Sequence, residues 1–121
     1  MKADEWKTPP DLYSFFQAWD DPALPGHHDG LTRQWQDPTY CNPPYSDPRP
    51  WVEKAIAEAR RGTRVVMLLP HDSSTEWWRL LHEEGAYFAA VLGRIRFSGA
   101  GPARFASIFV FLPAKKKARR K

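Results

Sequence analysis

An α/β fold with a mostly parallel sheet and a C-terminal antiparallel hairpin is what the sequence predicts. Three observations lead there. Strand-like apolar stretches alternate with amphipathic helical ones through the middle of the chain. One of them, Arg64-Val-Val-Met-Leu-Leu69, is almost unbroken apolar sequence, the pattern of a parallel strand covered on both faces. The last strand-like stretches follow one another without a helix between them, which closes the sheet with a hairpin.

Thr8-Pro9-Pro10 reads as a helix start: a hydroxyl cap, prolines in the first turn, and Asp11 near the positive helix end. Leu12, Phe15, Phe16 and Trp19 then recur at helical spacing, giving a helix to about Ala18. Asp20 to Pro38 is irregular, punctuated by Pro22, Pro25, Gly26 and Gly30. So long a connection in a compact domain is usually functional or disordered, and its Asp-Asp-Pro and His-Asp-Gly runs favour function. Thr39 to Cys41 is a short strand ending at Asn42-Pro43-Pro44-Tyr45. Asp47 can cap the next helix, Pro48 and Pro50 fit its first turn, Trp51, Val52, Ala55, Ile56 and Ala59 form its apolar stripe, and Gly62 stops it.

Pro70 ends the apolar strand. Ser73 or Ser74 can cap a third helix bearing Trp77, Trp78, Leu80 and Leu81, with Gly85 as its stop. Tyr87 to Leu92, Arg94 to Phe97 and Ser107 to Leu112 read as strands, with Gly99 to Pro102 as a loop before the last of them.

With 121 residues the chain is expected to be one domain, residues 1–113, followed by a basic, disordered tail over 114–121. Six of the 18 basic residues lie in the last seven positions, and removing them takes the formal charge from +4 to −2. The body is therefore mildly acidic, and Lys115, Lys116 and Lys117 with the arginines behind them suit a phosphate tether or a solvated end without a role. No apolar run approaches the roughly 18 residues that span a bilayer, and Met1-Lys2-Ala3-Asp4-Glu5 lacks the apolar core of a signal peptide. A soluble, cytoplasmic protein away from membranes is the expectation. Cys41 is the single cysteine, and no Cys/His cluster has metal-site spacing, so no metal is implied; the adjacent His27 and His28 read as polar loop.

The chemistry concentrates at Asn42-Pro43-Pro44-Tyr45. In α/β sheets ligands bind beyond the carboxyl ends of strands, and both this turn and His71-Asp72 are expected at such junctions. The tetrapeptide offers a carboxamide, rigid carbonyls and an aromatic face, a set suited to a planar exocyclic amine. Methylating such an amine is hard because its lone pair is delocalised into the ring. Acceptors on both N–H bonds, Asn42 Oδ1 and the Pro43 carbonyl, favour a pyramidal nitrogen that can attack. Tyr45 offers a ring on which an extruded base can stack. The bland alternative is a proline-rich turn with Tyr45 filling the core. Adenine in DNA, adenine in RNA and a protein glutamine all present the required nitrogen, and a catalytically silent nucleic-acid-binding module is a further alternative. Arg94 and Arg96 fall on one face of a strand, where they meet phosphate or solvate an edge. Phe105 ends a flexible loop and either closes over a flipped base or packs inward.

Several separated motifs occur in one order: Trp6-Lys-Thr-Pro-Pro10, Trp19-Asp-Asp-Pro22, Asp29-Gly-Leu31 with Trp35, Cys41-Asn-Pro-Pro-Tyr-Ser46, Leu68-Leu-Pro70 with Ser74-Thr75 and Trp77-Trp78, Gly93-Arg-Ile-Arg-Phe97 and Phe105-Ala-Ser107. On these the chain resembles the phage-type DNA N6-adenine methyltransferases, compact S-adenosylmethionine-dependent enzymes, and the resemblance extends nearly to Leu112. It implies a compact, reduced Rossmann-like methyltransferase fold, with Asn42, Pro43, Pro44 and Tyr45 as the catalytic corner. Thr8 and Pro9 would lie along the methionine end of the cofactor, and Asp21 with Pro22 would stand where larger relatives carry their first cofactor motif. Asp29 and Leu31 would contact the cofactor's adenine, Asp29 accepting from its amino group. Ala23 stands where family members often carry cysteine, and the usual glycine-rich cofactor turn is missing. DNA is the implied partner and the host cytoplasm or nucleoid the implied location. A chain this short expects modest sequence recognition, supplied by loops or by homodimerisation.

Overall fold

The computed structural model describes residues 16, 18–24, 29–90, 96–97, 101–102 and 106–115, with 96–97 and 101–102 described in backbone only. The elements are β1 (Thr39–Cys41), α1 (Arg49–Arg61), β2 (Val65–Pro70), α2 (Glu76–Glu83), β3 (Tyr87–Ala90), β4 (Arg96–Phe97), β5 (Gly101–Pro102) and β6 (Ser107–Leu112). Of the first predicted helix only Phe16, which is helical, and Ala18 fall among the described residues; Thr8 and Pro9 lie outside them.

The four-stranded sheet has the order β1-β2-β6-β3. β1 and β2 are parallel, with Cys41 opposite Met67, while β6 is antiparallel to both of its neighbours. The expected mostly parallel sheet is thus corrected to a mixed one, with more antiparallel than parallel pairings. β1, β2 and β3 do share one direction, since two antiparallel pairings separate β2 from β3. The last strand returns the other way and inserts between them rather than adding at an edge. Burial explains the placement: Ser-Ile-Phe-Val-Phe-Leu is apolar on both faces and suits a central position, whereas Tyr87–Ala90 is largely exposed and suits the edge. The hairpin falls at β4–β5, where Arg96 pairs with Pro102 and Phe97 with Gly101, so part of the predicted Gly99-to-Pro102 loop is strand.

α1 follows its predicted stripe, burying Val52, Ala55, Ile56 and Ala59, and ends at Gly62, whose φ of 115° requires a residue without Cβ. Asp47 does not cap it. Pro48 takes the cap position with no side-chain hydrogen bond, its carbonyl accepting from Val52 N at 3.0 Å, and Pro50 has no N–H to satisfy. α2 is capped by Thr75, not by Ser73 or Ser74: Thr75 has the extended backbone a cap needs, and its Oγ1 accepts from Trp78 N at 3.3 Å.

Strand alternation sorts the core into two faces. Cys41, Val65, Met67, Leu69, Ile108, Val110 and Leu112 pack against α1 and α2 with Trp35, Trp77 and Leu81. Tyr40, Val66 and Leu68 face the other way, with Phe16, Trp19, Tyr45 and Phe109 against them; Phe16 stacks on Tyr40 with ring centres 4.3 Å apart. Each large side chain fully buried this way contributes roughly 1.5–3 kcal/mol. Among the described residues no helix is long and apolar enough to cross a membrane.

Candidate active site

The corner forms because β1 cannot continue. Pro43 and Pro44 have no N–H to donate, so pairing stops at Cys41 while β2 runs on through Leu68, Leu69 and Pro70. The turn is set beside the carboxyl end of β2. Asn42 is half-buried, Pro43 buried, and Pro44 and Tyr45 half-buried.

Tyr45 then reaches across the sheet. Its hydroxyl shares a 3.2 Å hydrogen bond with Oγ of Ser107, the fully buried first residue of β6, which stands opposite Pro70. β1 and β6 are separated by β2, roughly 9–10 Å at ordinary strand spacing, so the phenol lies across the end of β2. Burial pushes the Tyr45 hydroxyl up to about 12, only partly offset by Ser107. At neutral pH it is a protonated hydroxyl and not a base.

A second segment comes to the same end of the sheet. Asp20 forms a parallel bridge with Thr39, its carbonyl accepting from Tyr40 N at 2.8 Å, so the following residues run alongside β1 toward the corner. This brings Asp21 near Cys41, whose thiol is pushed up by burial first and then by the Asp21 and Asp20 charges. Arg33 clamps Asp20 with two 2.7 Å hydrogen bonds, and Gln36 N donates to the same carboxylate at 2.9 Å. Burial opposes that charge, but the Arg33 and Gln36 donors outweigh it and Asp20 is held below its ordinary range.

The Asp29-Gly30-Leu31 turn packs onto this segment. A Cβ on Gly30 would sit 2.1 Å from the Pro22 carbonyl oxygen and 2.8 Å from the Trp51 ring. Trp35 Nε1 donates to the Gly30 carbonyl at 2.6 Å, and Asp29 O accepts from Thr32 N and Arg33 N. The turn therefore bridges Pro22 and the first turn of α1. The Asp29 carboxylate and the Leu31 side chain, 41% exposed, remain at the surface.

His71 and Asp72 leave the carboxyl end of β2, the neighbouring junction. His71 N donates to Ala106 O at 2.8 Å, and its ring stacks on Trp78 with centres 5.4 Å apart and planes at 4°. Trp78 in turn stacks on Phe88 at 4.8 Å. Asp72 accepts from Ser74 N and Oγ, which closes the turn ahead of α2. A cleft of about 410 Å³ opens beside it, lined by Ser73, Ser74, Thr75, Trp78, Arg79 and His82. Among the described residues no group of three or more His, Cys, Asp or Glu could hold a metal ion.

A small mixed sheet with a proline corner at the carboxyl end of β1 and a carboxylate-bearing loop beside it defines an α/β domain. Residues 23–118 match the DNA N-6-adenine-methyltransferase (Dam) family, and the chain belongs to that family. A DNA N-6-adenine-methyltransferase of Haemophilus phage HP1 (strain HP1c1) is 49% identical over 51 residues, 40% of this chain and 29% of the relative. A DNA N-6-adenine-methyltransferase of Escherichia phage T1 is 38% identical over 58 residues, 46% of this chain and 24% of the relative. The matched stretches thus span less than a third of either relative's length. No solved structure matches the chain.

Of the residues singled out in the sequence, Asn42, Pro43, Pro44, Tyr45, Asp21 and Pro22 come together at one end of the sheet, with Asp29 and Leu31 on the turn packed against Pro22. Arg96 lies in β4; Arg94, Phe105, Lys116 and Lys117 lie outside the described residues, as do Thr8 and Pro9. Lys115 stands apart from this group. β6 runs away from the corner to Leu112, opposite Val65, and Lys115 docks there, its N donating to Ala59 O at 3.0 Å and its Nζ to Glu84 O at 3.2 Å. Sequence reasoning passed over the parts that hold the site: Arg33 on Asp20, Gly30 under Trp51, and Glu58. Glu58 is buried on α1 and accepts from Lys54 at 2.9 Å, from Trp35 N at 3.2 Å and from Arg61. An acid flanked by Lys54 and Arg61 at helical spacing was the one available signal for it.

Proposed function

We propose that this domain methylates the N6 amino group of adenine in DNA with S-adenosylmethionine as donor. The observation that carries the reading is the juxtaposition of the Asn42-to-Tyr45 corner with the Asp21–Pro22 segment and the Asp29–Leu31 turn at one sheet end, in a chain of this family. That arrangement suits a reduced Rossmann-like methyltransferase in which the reversed β6 stands between β2 and β3.

The residues present fit the donor. Asp29 supplies an exposed acceptor for an adenine amino group, and exposed Leu31 beside it supplies an apolar surface for the ring. Asp21 and Pro22, with Thr8 and Pro9, complete the proposed pocket. When bound, S-adenosylmethionine supplies a methyl group carried on positively charged sulfur. Asn42 Oδ1 and the Pro43 carbonyl accept the two N–H bonds of the target amine, which concentrates its lone pair on nitrogen. The nitrogen becomes acidic only after the methyl has arrived, so its surplus proton passes to water and no strong base is needed. Tyr45 cannot be that base at neutral pH and serves as a ring on which the extruded adenine stacks. Arg94, Arg96, Phe105 and the lysines at 115–117 are proposed to meet the DNA. The reaction belongs inside a cell, where a phage genome or its host's DNA is the substrate.

The test is incubation of the full chain with labelled S-adenosylmethionine and unmethylated DNA, RNA or protein acceptors, followed by nucleoside analysis. Label in N6-methyladenine from DNA is expected. Label confined to RNA or to glutamine would move the substrate, and no transfer with retained nucleic-acid binding would point to a silent module. Asn42→Ala is expected to lower methyl transfer at least 100-fold, on the scale of losing one preorganised charge-stabilising group, while changing calorimetric cofactor affinity less than about threefold; unchanged turnover would remove Asn42 from the mechanism.

A further inference from the structure

We infer that Ser107 is a positioning residue for the target base: it tethers the Tyr45 hydroxyl so that the phenol is held across the end of β2 as a fixed platform for an extruded adenine. The inference rests on the adenine-methylating reading above and adds to it how the platform is held.

Three observations carry it. Ser107 is a hydroxyl with no solvent exposure at the start of a strand whose following residues are apolar, and its Oγ lies 3.2 Å from Tyr45 OH. A buried hydroxyl costs stability unless it is hydrogen-bonded, and this partner sits 62 positions away in sequence. Ser107 also faces Pro70, the last residue of β2, so the tether falls at the end of the sheet that carries the corner. Finally, Tyr45 packs against the cluster of Tyr40, Val66 and Leu68 and is half-buried, so the sheet supports the side chain that the tether holds.

A ring hinged only at its own Cα can swing, and each misoriented rotamer lowers the share of enzyme ready to receive a base. Fixing the hydroxyl removes that freedom. The effect should be larger on duplex than on single strands, because only the duplex must first lose stacking inside the helix.

Methyl transfer by wild type, Ser107→Ala, Tyr45→Phe and the double variant tests this, using duplex and single-stranded DNA of the same sequences. Each single variant is expected to lose about fivefold to tenfold in kcat/KM on duplex, the scale of one net hydrogen bond. Single-strand activity should fall less than about twofold, with cofactor affinity unchanged, and the double variant should be no worse than either single one. Loss of fold alone would depress both substrates equally, so the duplex-to-single-strand ratio reports positioning. Should Ser107→Ala fail to fold, Tyr45→Phe removes the other end of the same bond and decides alone. A wild-type ratio in Tyr45→Phe, or losses that multiply in the double variant, would overturn the inference. A wild type that methylates no DNA would instead sink the underlying reading, and this inference with it.

Discussion

Gly30→Ala is the sharpest probe of how the proposed cofactor loop is built. The added Cβ would meet the Pro22 carbonyl oxygen at 2.1 Å and two Trp51 ring carbons at 2.8 Å, whereas ordinary contact begins near 3.4 Å. The ring deficit can be relieved by a small swing of Trp51. The carbonyl deficit, well over an ångström, cannot, because Pro22 is buried backbone and the chain just before it is fixed by the Asp20 bridge and the Arg33 clamp. Relief must come from moving the Asp29–Leu31 turn away from Pro22 by roughly 1 Å. Overpacking of this kind costs about 3 kcal/mol at the upper end of its usual range, or roughly 10 °C in Tm for a domain of this size. A shift of that size between groups that share a ligand weakens binding about tenfold to a hundredfold. Thermal unfolding by circular dichroism and calorimetry with S-adenosylmethionine read the two effects separately. Gly62→Ala is the comparison: among the described residues nothing lies within 4 Å of an added Cβ, but its φ of 115° makes alanine strained by about 1–2 kcal/mol, far from the proposed pocket. It should lower Tm and leave cofactor affinity alone. A Gly30→Ala protein with wild-type Tm would refute the close approach. A lower Tm with unchanged affinity would refute the assignment of the turn to the cofactor.

Glu58→Gln should cost about 3 kcal/mol in urea unfolding, because it leaves Lys54 and Arg61 without the charge that Glu58 presents to them and to Trp35 N. Burial alone would raise Glu58, yet its donors hold it below the ordinary carboxylate range. Its contribution is therefore full above the unfolded pKa of about 4.3 and is lost as pH falls through the folded value. The wild type should lose stability more steeply below about pH 4 than the variant, and parallel curves would show that Glu58 stores none of this energy. Deleting residues 116–121 removes five cations while keeping the Lys115 contacts, and should reduce the salt dependence of DNA binding by up to about 4.5 in log–log slope. Equal slopes would show that those residues touch no phosphate.

Local pattern made β1, the α1 stripe, β2 and β6 readable, because each signal lies within a few residues of the element it specifies. Gly62 stopped α1 as expected for the same reason. The α2 cap was misplaced because three adjacent hydroxyls, Ser73, Ser74 and Thr75, satisfy the same pattern, and only the extended backbone at Thr75 selects one. Strand order was not readable. Whether β6 adds outside β3 or inserts beside β2 depends on comparing the burial each strand needs: Tyr87–Ala90 is short, half alanine and largely exposed, whereas the longer Ser107–Leu112 is mostly buried. The proposed corner was legible as four consecutive residues, whereas its supports come from distant places: Ser107, Gly30 against Pro22, and Arg33 on Asp20. Pairings across that much sequence leave no trace in a single chain's periodicity.

The inserted β6 has consequences at both ends of the sheet. Had β3 lain next to β2, the carboxyl end of β3 near Ala90 would have occupied the place beside Pro70, where no hydroxyl is available to Tyr45. Reversing one strand and moving it inward brings Ser107 there instead. The same reversal carries the chain away from the corner, so that Lys115 settles on the carbonyls of Ala59 and Glu84 about 17 Å from the end where Ser107 sits, given the rise of a six-residue strand. Cations beyond Lys115 therefore start from the far end, and a segment of six residues extends at most about 20 Å. Their natural targets are phosphates near that end of the sheet, since only a fully extended tail spans the distance back to the corner. It follows that removing residues 116–121 should weaken DNA binding while leaving kcat at saturating DNA unchanged, and a fall in kcat would place those cations at the corner itself.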